Sequence, residues 1–214
     1  MRYLTIFIAF LTILTLALVF FVVPPAEGLG NYVRIIFLHI PCAWIGALAF
    51  VVAAVYARRV LRLRDGDRAA LLFADARSAR SAQLGLAFTV IATVTGAVFS
   101  RLTWGAFWNW DPRQTTILCL LMIYAAYLAL RAVLEDPERR ARISAIYALF
   151  SVLPVPFLVF VIPRFYFSLH PEPVLNSAGH IDMDPVMLGT LVIALIDVTL
   201  IYLWLLRKGA NSHS

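Results

Sequence analysis

Residues 35–56 read IIFLHIPCAWIGALAFVVAAVY. One imidazole, His39, interrupts an otherwise apolar run about as long as the roughly 20 residues that cross a bilayer core as a helix. Five further apolar runs stand beside it: Tyr3–Val23, Leu84–Ser100, Thr115–Leu130, Ile143–Pro163 and Pro185–Leu206. Leu84–Ser100 and Thr115–Leu130 are shorter and borrow a turn from their flanks. The composition agrees: 62% of the 214 residues are hydrophobic and 14% are charged, too apolar for a soluble domain. A bilayer leaves backbone groups no partner outside helices and closed barrels. The expected fold is all-α: a polytopic integral membrane protein with six transmembrane helices in a single domain, residues 1–214. The first run is too long for the apolar region of a signal peptide, and no small-residue cleavage site follows in Pro24–Gly30. It is expected to be a retained helix.

A net charge of +6 would suit a polyanionic partner. The distribution argues against nucleic acid. Arg2, the seven arginines from Arg58 to Arg80, then Arg131, Arg139, Arg140, Arg142, Arg207 and Lys208 all fall on one side of the six runs. Only Arg34, Arg101, Arg113 and Arg164 fall on the other. The rich side is cytoplasmic by the positive-inside rule, so both termini are expected to be cytoplasmic. The segment Arg58–Arg80 reads as a solvated basic connector. Cys42 and Cys119 lie in or beside apolar runs with neither CxxC nor CxxCH spacing, which suits reduced packing residues.

The poorly charged side carries the unusual residues. Its loops are Pro24–Arg34, Arg101–Gln114 and Arg164–Asp184. Three of the five tryptophans, Trp104, Trp108 and Trp110, crowd into TWGAFWNWDPRQTT at 103–116, with Phe107 among them. An interfacial belt would spread its aromatics over several helix ends. Trp104 and Trp108 are one turn apart if this segment is helical. Asp111 followed by Pro112 is a strong helix start, and Gln114 stands where a capping-box partner would. His39 in an apolar run needs a partner or a polar cavity. Pro41 is expected to break or begin the helix beside it. His170 follows the fifth run in YFSLHPEPVL. His180 lies near Asp182 and Asp184, at a spacing poor for a metal site. Asp197 sits in the middle of the last run, where it must pair with a neighbouring helix, mark a subunit contact or be protonated.

This face therefore offers two imidazoles, a flat aromatic platform and guanidinium groups. Heme needs those three things: imidazole for iron, aromatic surface for the porphyrin, arginine for the propionates.

WGAFWNWDPRQT resembles the tryptophan-rich WWD signature of heme-handling proteins in cytochrome c maturation. With NYVRIIFLHIPCAW around His39, FSLHP around His170, and six spans, the whole chain resembles the CcmC, or heme exporter protein C, family. CcmF and the CcsA-type proteins share the signature but have more spans. The resemblance implies transient, non-covalent binding of heme b at the outer face of the bacterial inner membrane. His39 and His170 would be the axial ligands. Trp104, Phe107, Trp108, Trp110 and Asp111 would form the segment on which heme lies, edge-on, with the porphyrin edge over Trp108 and Trp110. Arg101, Arg113 and Arg34 or Arg164 would meet propionates. The family often has Trp where this chain has Phe107. It further implies delivery to the heme chaperone CcmE, in a complex with the ABC-transporter subunits CcmA and CcmB and the small protein CcmD. The expectation is a heme-handling component, assisting covalent attachment of heme to the chaperone, rather than an enzyme with catalytic residues. A membrane b-type cytochrome that shuttles electrons, or a structural assembly subunit with a tryptophan belt and no ligand, are the alternatives.

Overall fold

The computed structural model describes residues 2–63, 67–169, 181 and 183–208, with Pro163 and Arg164 described by backbone alone. Six helices are long and apolar enough to cross a membrane: α1 (Arg2–Val22), α2 (Asn31–Arg62), α3 (Arg68–Trp104), α4 (Pro112–Val133), α5 (Pro137–Val161) and α6 (Pro185–Lys208). A short helical turn, Ile162–Phe165, follows α5. The fold is all-α and multi-pass, as the composition requires.

The pairing of α2 with α3 organises the bundle. Apolar side chains gain nothing by leaving lipid for one another, so membrane helices associate where small residues let backbones approach and hydroxyls bond across. The α2 face turned to α3 carries Gly46, Ala49, Ala53 and Ala57, and α3 answers with Ala74, Ser78, Ala82, Gly85 and Thr89, all buried. A Cβ on Gly46 would fall 2.6 Å from Thr89 Oγ1, and one on Gly85 would fall 2.6 Å from the Phe50 ring. Ser78 Oγ donates to Ala53 O at 2.8 Å and Ser81 Oγ to Ala49 O at 2.6 Å. Phe50 then stacks on Tyr124 of α4 at 3.4 Å between ring centres, and Tyr124 leads on to Tyr127 and to Tyr147 of α5. On the other flank, Tyr202 of α6 bonds Ser81 through its hydroxyl at 2.7 Å.

α1 is peripheral. Of its α-helical residues only Ile8 and Thr15 are buried. Thr12 Oγ1 donates to Asp197 Oδ1 of α6 at 2.9 Å. Among the three readings of Asp197, the structure therefore supplies a polar partner on a neighbouring helix, and this bond joins the outermost helix to the bundle.

Two expectations are corrected. Arg58–Arg80 is not a solvated connector. Helix α2 runs through Arg62, and α3 begins at Arg68 behind an Asp67 cap that accepts from Ala70 N. The 37 residues of α3 make a rod about 55 Å long, well beyond the roughly 30 Å hydrocarbon core. Arg58, Arg59, Arg62 and Arg68 are exposed, but Asp75 and Arg77 are bonded to other helices of the bundle. Arg131 of α4 grips the buried Asp75 with two bonds, Nη1 to Oδ1 at 2.6 Å and Nη2 to Oδ2 at 2.8 Å. Arg77 Nη1 donates to Leu206 O at 3.1 Å, near the carbonyl end of α6 where a cation is favoured. The charge count alone could not show these partners, which come from α4 and α6.

The second correction is Pro41. The helix neither breaks nor begins there: α-helical geometry runs from Ile36 to Arg62, led in by a 3-10 turn over Asn31–Ile35. Proline within a membrane helix is tolerated where neighbours and local 3-10 geometry absorb the missing donor. Here it lies within two turns of the helix start, and its ring is fully buried.

Arg131→Ala leaves Asp75 buried without its cation, and the expected loss is about 3–5 kcal/mol. Unfolding of the detergent-solubilised protein measures it. The double change Asp75→Leu with Arg131→Met is expected to restore most of that stability, because no lone charge remains.

Candidate functional site

Helix α3 stops at Trp104 because Gly105 takes a left-handed conformation, φ 82°, the usual way a helix ends at glycine. The chain beyond is folded on one hydroxyl. Ser100 Oγ donates to Ala106 O at 2.7 Å and accepts from Asn109 Nδ2 at 2.8 Å and Gln114 Nε2 at 3.3 Å. That uses its one proton and both lone pairs. Gln114 Oε1 accepts from Asn109 N at 2.7 Å. The expected capping box is thus replaced: Gln114 closes on Asn109 instead of on the cap residue. Trp110 has φ 55°, a left-handed backbone rare outside glycine, immediately before the Asp111 cap of α4.

The aromatic rings are set by this frame. Trp104 stands edge-on to Phe99 of α3 at 5.7 Å. Trp108 and Trp110 are 6.1 Å apart and close to perpendicular, 87°. With α3 ended at Trp104, the one-turn relation of Trp104 to Trp108 does not hold. The rings form a corner, and one flat ligand face can lie on only one wall of it. Phe107 and Trp110 are exposed at 58% and 69%, while Trp104 and Trp108 are half-buried. Arg101 bonds the Gly105 carbonyl through Nη1, and its guanidinium carbon lies 5.9 Å from the centre of the Phe107 ring.

Asp111 caps α4, accepting from Arg113 N at 2.9 Å, as its position before Pro112 leads one to expect. It also does something the sequence reading missed. Ser168 Oγ lies 2.9 and 3.0 Å from the two carboxylate oxygens, and Leu169 N donates to Oδ2 at 2.7 Å. A buried carboxylate therefore ties the chain after α5 to the tryptophan loop. The next residue in the sequence is His170. It lies outside the described residues, as do His180 and Asp182, and the Arg164 side chain is likewise not described.

His39 lies in the first α-helical turn of α2, against α3. Its Nδ1 is 2.9 Å from Ala92 O and 3.3 Å from Thr95 Oγ1. A carbonyl can only accept, so Nδ1 carries the proton, and in the neutral ring the lone pair is then on Nε2. The ring rests on Gly96, where a Cβ would come within 2.8 Å of His39 Cε1. Arg34 is half-buried in the 3-10 turn that opens α2. Ser100, Asn109 and Ser168 had no motif to mark them; a polar residue ending an apolar run was the only signal for Ser100. Among the described residues no group of three or more His, Cys, Asp and Glu side chains is placed to hold a metal ion. Asp184 is instead the cap of α6, accepting from Val186 N at 2.8 Å.

Six long apolar helices with an aromatic corner folded between helix ends define a multi-pass membrane protein with an ordered tryptophan loop between α3 and α4. The chain belongs to the heme exporter protein C (CcmC) family, whose model matches residues 1–212. It is 30% identical to a heme exporter protein C of Bradyrhizobium diazoefficiens over 176 residues, 82% of this chain and 64% of that one. It is 34% identical to the heme exporter protein C of Escherichia coli K12 over 131 residues, 60% of this chain and 50% of that one. A putative cytochrome c biosynthesis ccmC-like mitochondrial protein of Marchantia polymorpha is 30% identical over 177 residues, 81% of this chain and 72% of that one. The matched region thus spans between half and about two-thirds of the two bacterial relatives.

Ser100→Ala removes the acceptor of two side-chain amides in the half-buried loop, and the expected loss is about 1–3 kcal/mol. Hydrogen exchange at Asn109 N should rise in this variant, while exchange in the α2–α3 interface stays as in the wild type.

Proposed function

We propose that this protein binds heme at its tryptophan-bearing end and hands it on for the maturation of c-type cytochromes. One observation carries the reading: His39 spends Nδ1 on a backbone carbonyl of α3 and keeps Nε2 for a metal, about three turns before that helix leads into the loop of aromatic rings. Metal-binding histidines almost always donate their other ring N–H in this manner. A bare ion would ask the protein for three or more ligands, and the described residues do not gather them. An iron already held by a porphyrin asks only for axial ligands, and the donor set here fits that demand.

Heme is then the cargo. His39 Nε2 takes one axial position, and His170, directly after the segment that Asp111 holds, takes the other. One wall of the Trp108–Trp110 corner takes a face of the macrocycle and the other meets its edge, Phe107 and Trp104 extend the apolar surface, and Arg113, Arg101 and Arg34 are the cations for the propionates. Binding is transient and non-covalent, as suits heme b in transit. The orientation follows from the arginine distribution: the basic end faces the cytoplasm, both termini lie there, and the heme face looks outward from the bacterial inner membrane. The family supports CcmE as the acceptor and CcmA, CcmB and CcmD as the partners in the complex.

Purified wild type is expected to show a b-type pyridine hemochrome. His39→Ala and His170→Ala are each expected to lower heme retention and shift the visible spectrum. A double variant with the heme content and spectrum of the wild type would sink the reading. Coexpression with CcmE is expected to place covalent heme on the chaperone, and wild-type but not double-variant protein should support it. Heme that stays on this chain and reaches no chaperone would instead favour a b-type electron carrier.

A further inference from the structure

We propose that Thr95 and Gly96 are positioning residues that lock His39 in one tautomer and one ring orientation, so that Nε2 alone is offered to iron. The metal's identity rests on the heme reading above; the lock itself rests on α3.

Both neighbours of Nδ1 are acceptors. Ala92 O, at 2.9 Å, has no proton to give. Its second lone pair is available because a helical carbonyl uses only one on the amide four residues ahead. Thr95 Oγ1, at 3.3 Å, has a single proton, directed at its own helix: Ile91 O at 2.8 Å or Ala92 O at 3.1 Å. What the hydroxyl turns to His39 is therefore a lone pair. A proton on Nε2 with none on Nδ1 would set a bare nitrogen against two oxygens, and the ring is held away from that state. Among the described residues no hydrogen bond is made to Nε2.

Gly96 fixes where the ring lies. A Cβ there would stand 2.8 Å from Cε1, 3.2 Å from Nδ1 and 3.8 Å from Nε2. Real Cβ atoms do not approach a ring carbon that closely. The ring thus occupies space that only glycine leaves open, and any larger residue must move it away from Ala92 O. Glycine inside a helix destabilises it by about 0.5–1 kcal/mol relative to alanine. Gly96 has φ in the ordinary helical range, so left-handed backbone does not explain the residue. The imidazole seat does.

The test uses the full-length protein in detergent with 15N-labelled histidine, His39 being assigned by comparison with His39→Gln. In heme-free wild type, Nδ1 is expected to show the shift of a protonated nitrogen and Nε2 that of an unprotonated one. Gly96→Ala is expected to give a mixture of tautomers and to weaken hemin binding about tenfold or more. Thr95→Val keeps the shape of the side chain and is the milder probe. It should alter the midpoint potential of bound heme and weaken binding by a smaller factor, and Thr95→Ser should restore both. If Gly96→Ala and Thr95→Val keep the wild-type nitrogen shifts, affinity and potential, the positioning role is overturned while the heme reading stands. If wild type shows the fixed tautomer and Gly96→Ala loses it, but hemin does not bind to either, the lock is supported and the heme reading alone falls.

Discussion

The seat of His39 and the root of the tryptophan loop depend on how closely α2 and α3 lie together. Inside a bilayer that closeness cannot come from apolar side chains seeking company, since lipid is company enough. It comes from what is missing. Gly46 and Gly85 bring the two backbones into contact, and Ser78 and Ser81 bridge to α2 carbonyls across the gap. Further along the same seam Gly96 leaves a space of a different kind, filled by an imidazole from the other helix. One device, the omitted side chain, serves helix association at one level of the seam and the seating of an imidazole at another.

The tryptophan loop solves a different problem. Bulky aromatics at an interface usually gain their orientation from helix ends, yet this loop leaves α3 and enters α4 through two left-handed residues, Gly105 and Trp110. Its order comes from polar atoms beneath the rings. Ser100, Asn109 and Gln114 form a closed set of bonds in which the hydroxyl is fully used. Asp111 then extends this order outward to Ser168 and Leu169, so two loops far apart in sequence share one carboxylate. Such networks rigidify when every member is satisfied. For the heme reading proposed above such firmness would matter, because ordering loops during binding subtracts from affinity.

Much of this was legible before any coordinates. Six spans follow from hydropathy because the bilayer punishes unsatisfied backbone so severely. The Asp111 cap was legible for the same kind of local reason: Asp-Pro leaves a chain few other things to do. What stayed hidden was tertiary. Asp75 and Arg131 look like loop charges until α4 is placed beside α3, when they become a buried pair. Pro41 looks like a break until the surrounding helices enclose its ring. Ala92 and Gly96 carry no sequence signal at all, because an alanine carbonyl and a missing Cβ become informative only when a histidine lies on them. The perpendicular setting of Trp108 and Trp110 is hidden similarly, since it depends on a left-handed backbone at a residue that seldom takes one.

The length of α3 has a mechanical consequence. It carries no proline between Arg68 and Trp104, and its basic end is gripped by Arg131 and by the carbonyl end of α6. A proline-free helix of this length is a lever: each degree of tilt about one end carries the other by about 1 Å. The imidazole seat and the root of the tryptophan loop ride on the same beam as the charged end. A small displacement at the basic end is thus carried to the imidazole seat and to the root of the tryptophan loop.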